Sequence, residues 1–275
     1  MKLKPIKASI GTEVSEVNLA DELSSADLAL LRRKFHDTGL LLFRNQSLDE
    51  DQMRRFAKSF GRISRLGPVQ HASNDGISYV SNTRPDGAFG SGELLFHSDM
   101  THFATPPKGI MLYGVEVPSA GGATLFSNSA YVLEHVPPEL RQRLEAAEVI
   151  AEIDYDSIQY NEEKNAQVEK LKASRTYHLV MDHPWSAQRI LFLSQIRGRI
   201  KDVSEEESRE IMDAIDRHVR NEDWMYRHQW AVGDLAFWDN FLVQHARDTF
   251  DNTRETRTLR RCVVAHEQEP ETAPT

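Results

Sequence analysis

The chain has 275 residues, 40% of them hydrophobic and 27% charged, which is enough to bury a sizeable core and sits at the upper end for one domain. Thirty-three basic against 42 acidic side chains give a formal charge of -9, so no global field draws nucleic acid or an anionic membrane, and any anion must be bound locally. The single cysteine, Cys262, excludes an intramolecular disulfide, no run approaches the roughly eighteen apolar residues of a membrane span, and the expected location is cytoplasmic.

In chain order, Ser24 is expected to cap a helix carrying Leu28, Leu31 and Phe35 on one face. Leu40 to Phe43 then reads as a buried strand, and Ser47-Leu48-Asp49-Glu50 as a capping box for a second helix with Met53, Phe56 and Phe60 inward and Gly61 as its stop. Gly109 to Val117 reads as a strand. The long polar stretch 154–174 is expected to be a lid or a solvated helical insertion. Ser204 and Glu207 open a helix with Ile211, Ile215 and Val219 inward, and Met225 to Trp230 alternates into the last strand group. Gly233-Asp234 is a turn signal before an apolar run, after which Trp238-Asp239-Asn240 turns the chain toward His245. From 257 to 264, period two puts Arg257, Leu259, Arg261 and Val263 on one face and Cys262 on the other. Residues 1–266 are expected to form one domain and the polar segment 267–275 a disordered tail. Strands in both halves, helices mainly near the N-terminus and one late crossing helix suggest a mainly β jelly roll with flanking helices.

His97 and Asp99 are two apart and share a face if the segment is extended. With one distant histidine, His245, they make a two-His-one-carboxylate set, which holds three corners of an octahedral ferrous ion and leaves three open. Alone, His-x-Asp is far more often a surface loop than a metal site. A zinc hydrolase could use the same ligands with an activated water, but would not need two inward arginines. A noncatalytic jelly-roll binding module would normally have lost a ligand.

His97-x-Asp99, Trp238-Asp239-Asn240-x4-His245 and Arg257-x3-Arg261 resemble the taurine and chlorophenoxyacetate dioxygenase family of iron(II), 2-oxoglutarate-dependent oxygenases. Leu41 to Gln46, Phe56-Ala57-x2-Phe60-Gly61 and Val117 to Phe126 match in the same order. The resemblance implies a double-stranded β-helix of the cupin-like jelly-roll type, with Fe(II), 2-oxoglutarate and O2 oxidising a C–H bond and releasing succinate and carbon dioxide. It implies His97, Asp99 and His245 as metal ligands, and Arg257 with Thr124 as holders of the far carboxylate of 2-oxoglutarate; should Arg257→Ala leave the 2-oxoglutarate requirement unchanged, Arg260 is the residue to which the role would pass. It further implies Arg261 and His71 as anchors of an anionic substrate. Arg257 and Arg261 would lie about 13 Å apart at the ~3.3 Å strand rise, too far to share one small carboxylate. Glu93 stands where the taurine enzyme has an amide, so taurine is not the expected substrate; Glu93 faces a substrate amine or is solvated. Phe89, Phe96, Phe103 and Tyr79 are expected aromatic walls, favouring an aryl or alkyl carboxylate over a sulfonate or alkyl sulfate. The expected partner is this small organic anion, with a homo-oligomer left open.

Overall fold

The computed structural model describes residues 1–64, 76–88, 93–152, 173–196 and 198–268. His71, Phe89, the tail from 269 and the expected lid apart from residues 173–174 lie outside the described residues.

Strands β1 (Lys2–Pro5) and β2 (Thr12–Ser15) lead to helix α1 (Ser25–Thr38), capped by the Ser24 side chain accepting from the Asp27 N–H. Gly39 ends α1 at a positive φ of 78°, and β3 (Leu40–Phe43) follows. Helix α2 (Glu50–Lys58) is capped by Asp49, whose side chain accepts from the Gln52 N–H while the Gln52 side chain accepts from the Asp49 N–H. The capping box therefore lies two residues later than Ser47-Leu48-Asp49-Glu50 suggests, because Leu48 is held in the fold by the Tyr113 hydroxyl and by Arg260. The helix ends at Lys58, ahead of Gly61.

After β4 (Ile77–Ser81), β5 (Gly87–Ala88), β6 (Leu94–His97), β7 (Gly109–Glu116) and β8 (Thr124–Asn128), the chain forms α3 (Ser129–His135) and α4 (Pro138–Ala146). These two helices add to those expected near the N-terminus and to the one late crossing helix. Asn128 caps α3 through two backbone N–H groups, and Pro138 sits in the first turn of α4, where its missing N–H costs nothing. Strands β9 (Glu148–Glu152), β10 (Ser174–His178), β11 (Val180–Asp182), β12 (Arg189–Leu191) and β13 (Gly198–Ile200) precede α5 (Glu205–Val219), followed by β14 (Tyr226–His228), β15 (Leu235–Asp239), β16 (Val243–Arg247) and β17 (Thr258–Val264).

An eight-stranded sheet runs β1-β2-β3-β15-β7-β17-β4-β5 and a four-stranded sheet runs β14-β8-β16-β6. Leu40, Leu42, Ile110, Trp238 and Leu259 of the large sheet share one buried cluster with Phe96, Leu125, Phe126 and Ala246 of the small one. The alternate residues Leu41, Phe43, Met111, Phe237 and Cys262 bury the other face of the large sheet against Leu31 and Phe35 of α1 and Met53 and Phe56 of α2. Burial on both faces explains why β3 is apolar throughout. Two facing antiparallel-rich sheets with helices outside make a jelly roll, the double-stranded β-helix.

Candidate active site

His97 and His245 face each other as a rung of the β6–β16 ladder, their ring centroids 4.2 Å apart. The turn after β6 brings Asp99 Oδ1 to 3.3 Å from His97 Nε2 and 3.9 Å from His245 Nε2, and the three ligand atoms lie within 4.8 Å of one another. His97 Nδ1 lies 2.8 Å from the Leu95 carbonyl, which can only accept, so Nδ1 carries the proton and Nε2 presents a lone pair. Burial, with repulsion from His97, pushes His245 down to about 3 and keeps it neutral at pH 7. Burial opposes ionisation of Asp99, but its contact with His97 and the charge of the Arg261 guanidinium outweigh it and hold the carboxyl well below its usual range. Two imidazole Nε2 atoms and one carboxylate oxygen converging on a point fit a divalent cation.

Arg261 donates from Nη2 to Asp99 Oδ2 at 2.8 Å. One oxygen of Asp99 thus faces the histidines and the other is engaged by a guanidinium. Arg261 and Leu259 point into the space between the sheets, whereas Arg260 points to the opposite face, donating to the Leu48 carbonyl with its guanidinium 5.3 Å from the Tyr113 ring. That orientation removes Arg260 as an alternative anion holder.

Arg257 precedes β17 and is 3% exposed, its Nε donating to the Gly122 carbonyl at 3.0 Å and its Nη2 lying 3.4 Å from Thr124 Oγ1. Among the described residues no carboxylate is bonded to it. Burial, then repulsion from Arg247, pushes it down to about 9. Gly122 is needed for the approach: its φ is +64°, and a Cβ there would stand 3.1 Å from Arg257 Cδ. Thr124 Oγ1 also accepts from Trp230 Nε1 at 2.9 Å. Tryptophan and arginine only donate, so the Thr124 hydroxyl proton is available to an anion beside Arg257. Arg247, opposite Thr124 in the β8–β16 ladder, is itself buried and pushed down to about 10 by that burial.

The other expected contacts are placed elsewhere. Glu93 is half-exposed and accepts from Arg220 at 3.4 Å, beside the Phe96 ring over which Arg220 lies. Phe96 is fully buried core, and Tyr79 shares the outward face with Arg260, its hydroxyl donating to Glu50. Neither is an aromatic wall beside the triad, which corrects that expectation; Phe103 remains partly buried after the His97–Asp99 turn. His228 is wholly buried, 3.2 Å from the Tyr226 hydroxyl and 3.4 Å from Asp234 Oδ2.

A second trio, His36, His183 and Asp239, also has ligand-type atoms close together. Asp239 Oδ2 lies 2.7 Å from His36 Nδ1 and 3.0 Å from His183 Nε2, and Oδ1 accepts the Phe241 and Leu242 N–H groups at 3.0 and 3.3 Å. His183 Nδ1 accepts from the Trp185 N–H, which leaves Nε2 protonated and donating. The trio is thus a saturated hydrogen-bond hub, unlike the triad. Sequence reasoning missed this hub and the roles of Trp230, Arg247 and Asn240. The Trp-Asp-Asn signature was the available signal for Asp239 and Asn240.

The family described as "Taurine catabolism dioxygenase TauD, TfdA family" matches residues 2–263. An "Alpha-ketoglutarate-dependent sulfate ester dioxygenase" of Pseudomonas putida is 29% identical over 280 residues, covering 97% of this chain and 90% of that protein. An "Alpha-ketoglutarate-dependent 2,4-dichlorophenoxyacetate dioxygenase" of Cupriavidus pinatubonensis (strain JMP 134 / LMG 1197) is 25% identical over 288 residues, covering 94% and 96% respectively. The crystal structure of a taurine dioxygenase from Burkholderia xenovorans has the same fold, with a TM-score of 0.79 at 24% identity over 97% of this chain and 91% of that one. Matched along nearly its whole length by the family's own sequence pattern, the chain belongs to the taurine catabolism dioxygenase TauD, TfdA family.

Proposed function

We propose that the chain is an Fe(II)- and 2-oxoglutarate-dependent dioxygenase that oxidises a C–H bond of a small organic anion and releases succinate and carbon dioxide. The observation that carries this reading is the convergence of His97, Asp99 and His245 within 4.8 Å. The bound ferrous ion, with oxygen and 2-oxoglutarate, would supply the oxidising power. The chain's own residues do the rest. His97 and His245 offer their Nε2 lone pairs, and Asp99 offers Oδ1 while Arg261 engages Oδ2. Arg257 and the Thr124 hydroxyl receive the far carboxylate of 2-oxoglutarate in a buried setting where a charge-assisted bond is strong. Arg261 has further N–H groups to offer the substrate's anionic end. His71 is retained as a candidate second contact on the resemblance alone. Glu93, tied to Arg220, is not carried forward as a substrate contact.

Without Phe96 and Tyr79 as walls, the preference for an aryl carboxylate loses its main support, and an alkyl sulfate ester becomes the first substrate to try. The Pseudomonas putida relative, named for sulfate esters, supports that order. The experiment loads the protein with Fe(II) and 2-oxoglutarate and follows succinate and oxygen with a panel of alkyl sulfates, alkylsulfonates and aryloxyacetates. One member is expected to stimulate succinate formation in step with its own oxidation, and its neutral analogue is not. Turnover with Zn(II) and no oxygen would instead make the protein a hydrolase.

A further inference from the structure

Asn240 follows β15 by one residue and its side chain is wholly buried. Its Oδ1 accepts the Asp99 N–H at 2.7 Å, while its Nδ2 donates to the Asp99 carbonyl at 2.9 Å and to the Pro107 carbonyl at 3.1 Å. One carboxamide thus grips both backbone polar groups of Asp99, the residue expected to supply the carboxylate ligand. Two-point attachment resists rotation of that backbone in a way that a single bond does not. The turn needs restraint, because Met100, the next residue, has a φ of +59°, a conformation that L side chains adopt at a cost. The backbone N–H of Asn240 donates to the Lys108 carbonyl at 3.0 Å, so the grip is anchored to the start of β7. Just upstream, the Asp239 hub holds the β15–β16 turn from the other side. Five residues downstream lies His245.

We propose that Asn240 is a positioning residue for the metal carboxylate: its carboxamide fixes the Asp99 backbone so that Oδ1 meets His97 and His245, and ties the two ligand-bearing segments into one unit. Asn240 itself lies behind Asp99 and touches no reacting atom. This inference rests on the reading that the triad holds a ferrous ion, and its test reads metal binding rather than turnover.

Mn(II) binding to the full-length, metal-free protein is measured by electron paramagnetic resonance for the wild type, Asn240→Ala and Asn240→Ser, with Ile215→Ala as a control. Ile215 is fully buried on α5 and outside both metal-ligand turns, so its truncation destabilises the fold while sparing the grip. Residues that orient metal ligands are typically worth about 10–100-fold in affinity. Asn240→Ala is therefore expected to weaken Mn(II) binding about tenfold or more. Asn240→Ser, which can satisfy one of the three backbone groups, is expected to fall between Ala and the wild type. The control is expected to bind Mn(II) as the wild type does. Wild-type affinity in either folded Asn240 variant, or an equal loss in Ile215→Ala, would overturn the proposal. Should the wild type itself bind no Mn(II) or Fe(II), the metal reading fails instead.

Discussion

At Asp99, Oδ1 approaches His97 and His245 while Oδ2 accepts from Arg261, so removing Arg261 is expected to act twice. Arg261→Ala should raise the KM for the anionic substrate and also weaken Fe(II) binding, because the outer oxygen of the ligand loses its partner. Lys at that position would restore charge but not the planar fork, and is expected to recover metal affinity better than substrate affinity. Titrating Fe(II) and substrate separately checks this; a variant impaired for substrate alone would show that the Asp99 contact is idle. Arg257 has a simpler task. Truncating one side of a buried charge pair costs about 2–5 kcal/mol, so Arg257→Ala should raise the 2-oxoglutarate requirement by more than tenfold while the substrate KM moves far less. Trp230→Phe removes the N–H that orients Thr124, together with part of a buried ring. At about 1 kcal/mol for a net hydrogen bond, it should raise the 2-oxoglutarate KM roughly fivefold. An unchanged KM in that variant would mean that Thr124 needs no help.

At the level of elements, the turn between β15 and β16 is densely bonded near the site. Burial opposes the charge on Asp239, yet His183 and His36 hold it down to about 2. A carboxyl whose folded pKa is depressed contributes stability above its unfolded pKa and loses it as pH falls toward the folded value. The group is wholly buried, so the shift corresponds to about 2 kcal/mol, present at pH 5 and fading between about pH 4 and 2. Urea melts across that range should steepen in their pH dependence for the wild type and flatten for Asp239→Asn. Identical slopes would deny the hub this role. The elements that sequence pattern anticipated were those with strong periodicity: α1, β3, β7, α5 and the alternation of β17. Those it missed were short. α3 has seven residues and depends on Asn128, a cap hidden inside a strand-like run, and α4 opens on two prolines that read as a break.

Across the whole molecule, the three expected metal ligands and the two arginines expected to bind anions were visible as residues, because each sits on a strand or turn near apolar neighbours that announce burial. Their pairings were not visible. That Arg261 meets Asp99, that Trp230 meets Thr124 and that Tyr79 lies on the outward face all depend on register between strands distant in sequence. A ligand that binds only the folded state stabilises it by mass action, so Mn(II) at one hundred times its Kd should add about 2.7 kcal/mol. A rise in Tm with Mn(II) that disappears in Asp99→Ala checks that the ion is held by this triad.

The rung that joins His97 to His245 closes a loop of roughly 150 residues. At synthesis rates of about 5–20 residues per second, the two histidines leave the ribosome some 7–30 seconds apart. During that interval His97 and Asp99 are already made, but their third partner does not exist. With the proposed ligand set, a nascent chain would offer iron only two of its three ligands, and loading would have to wait until the C-terminal strands are translated and docked.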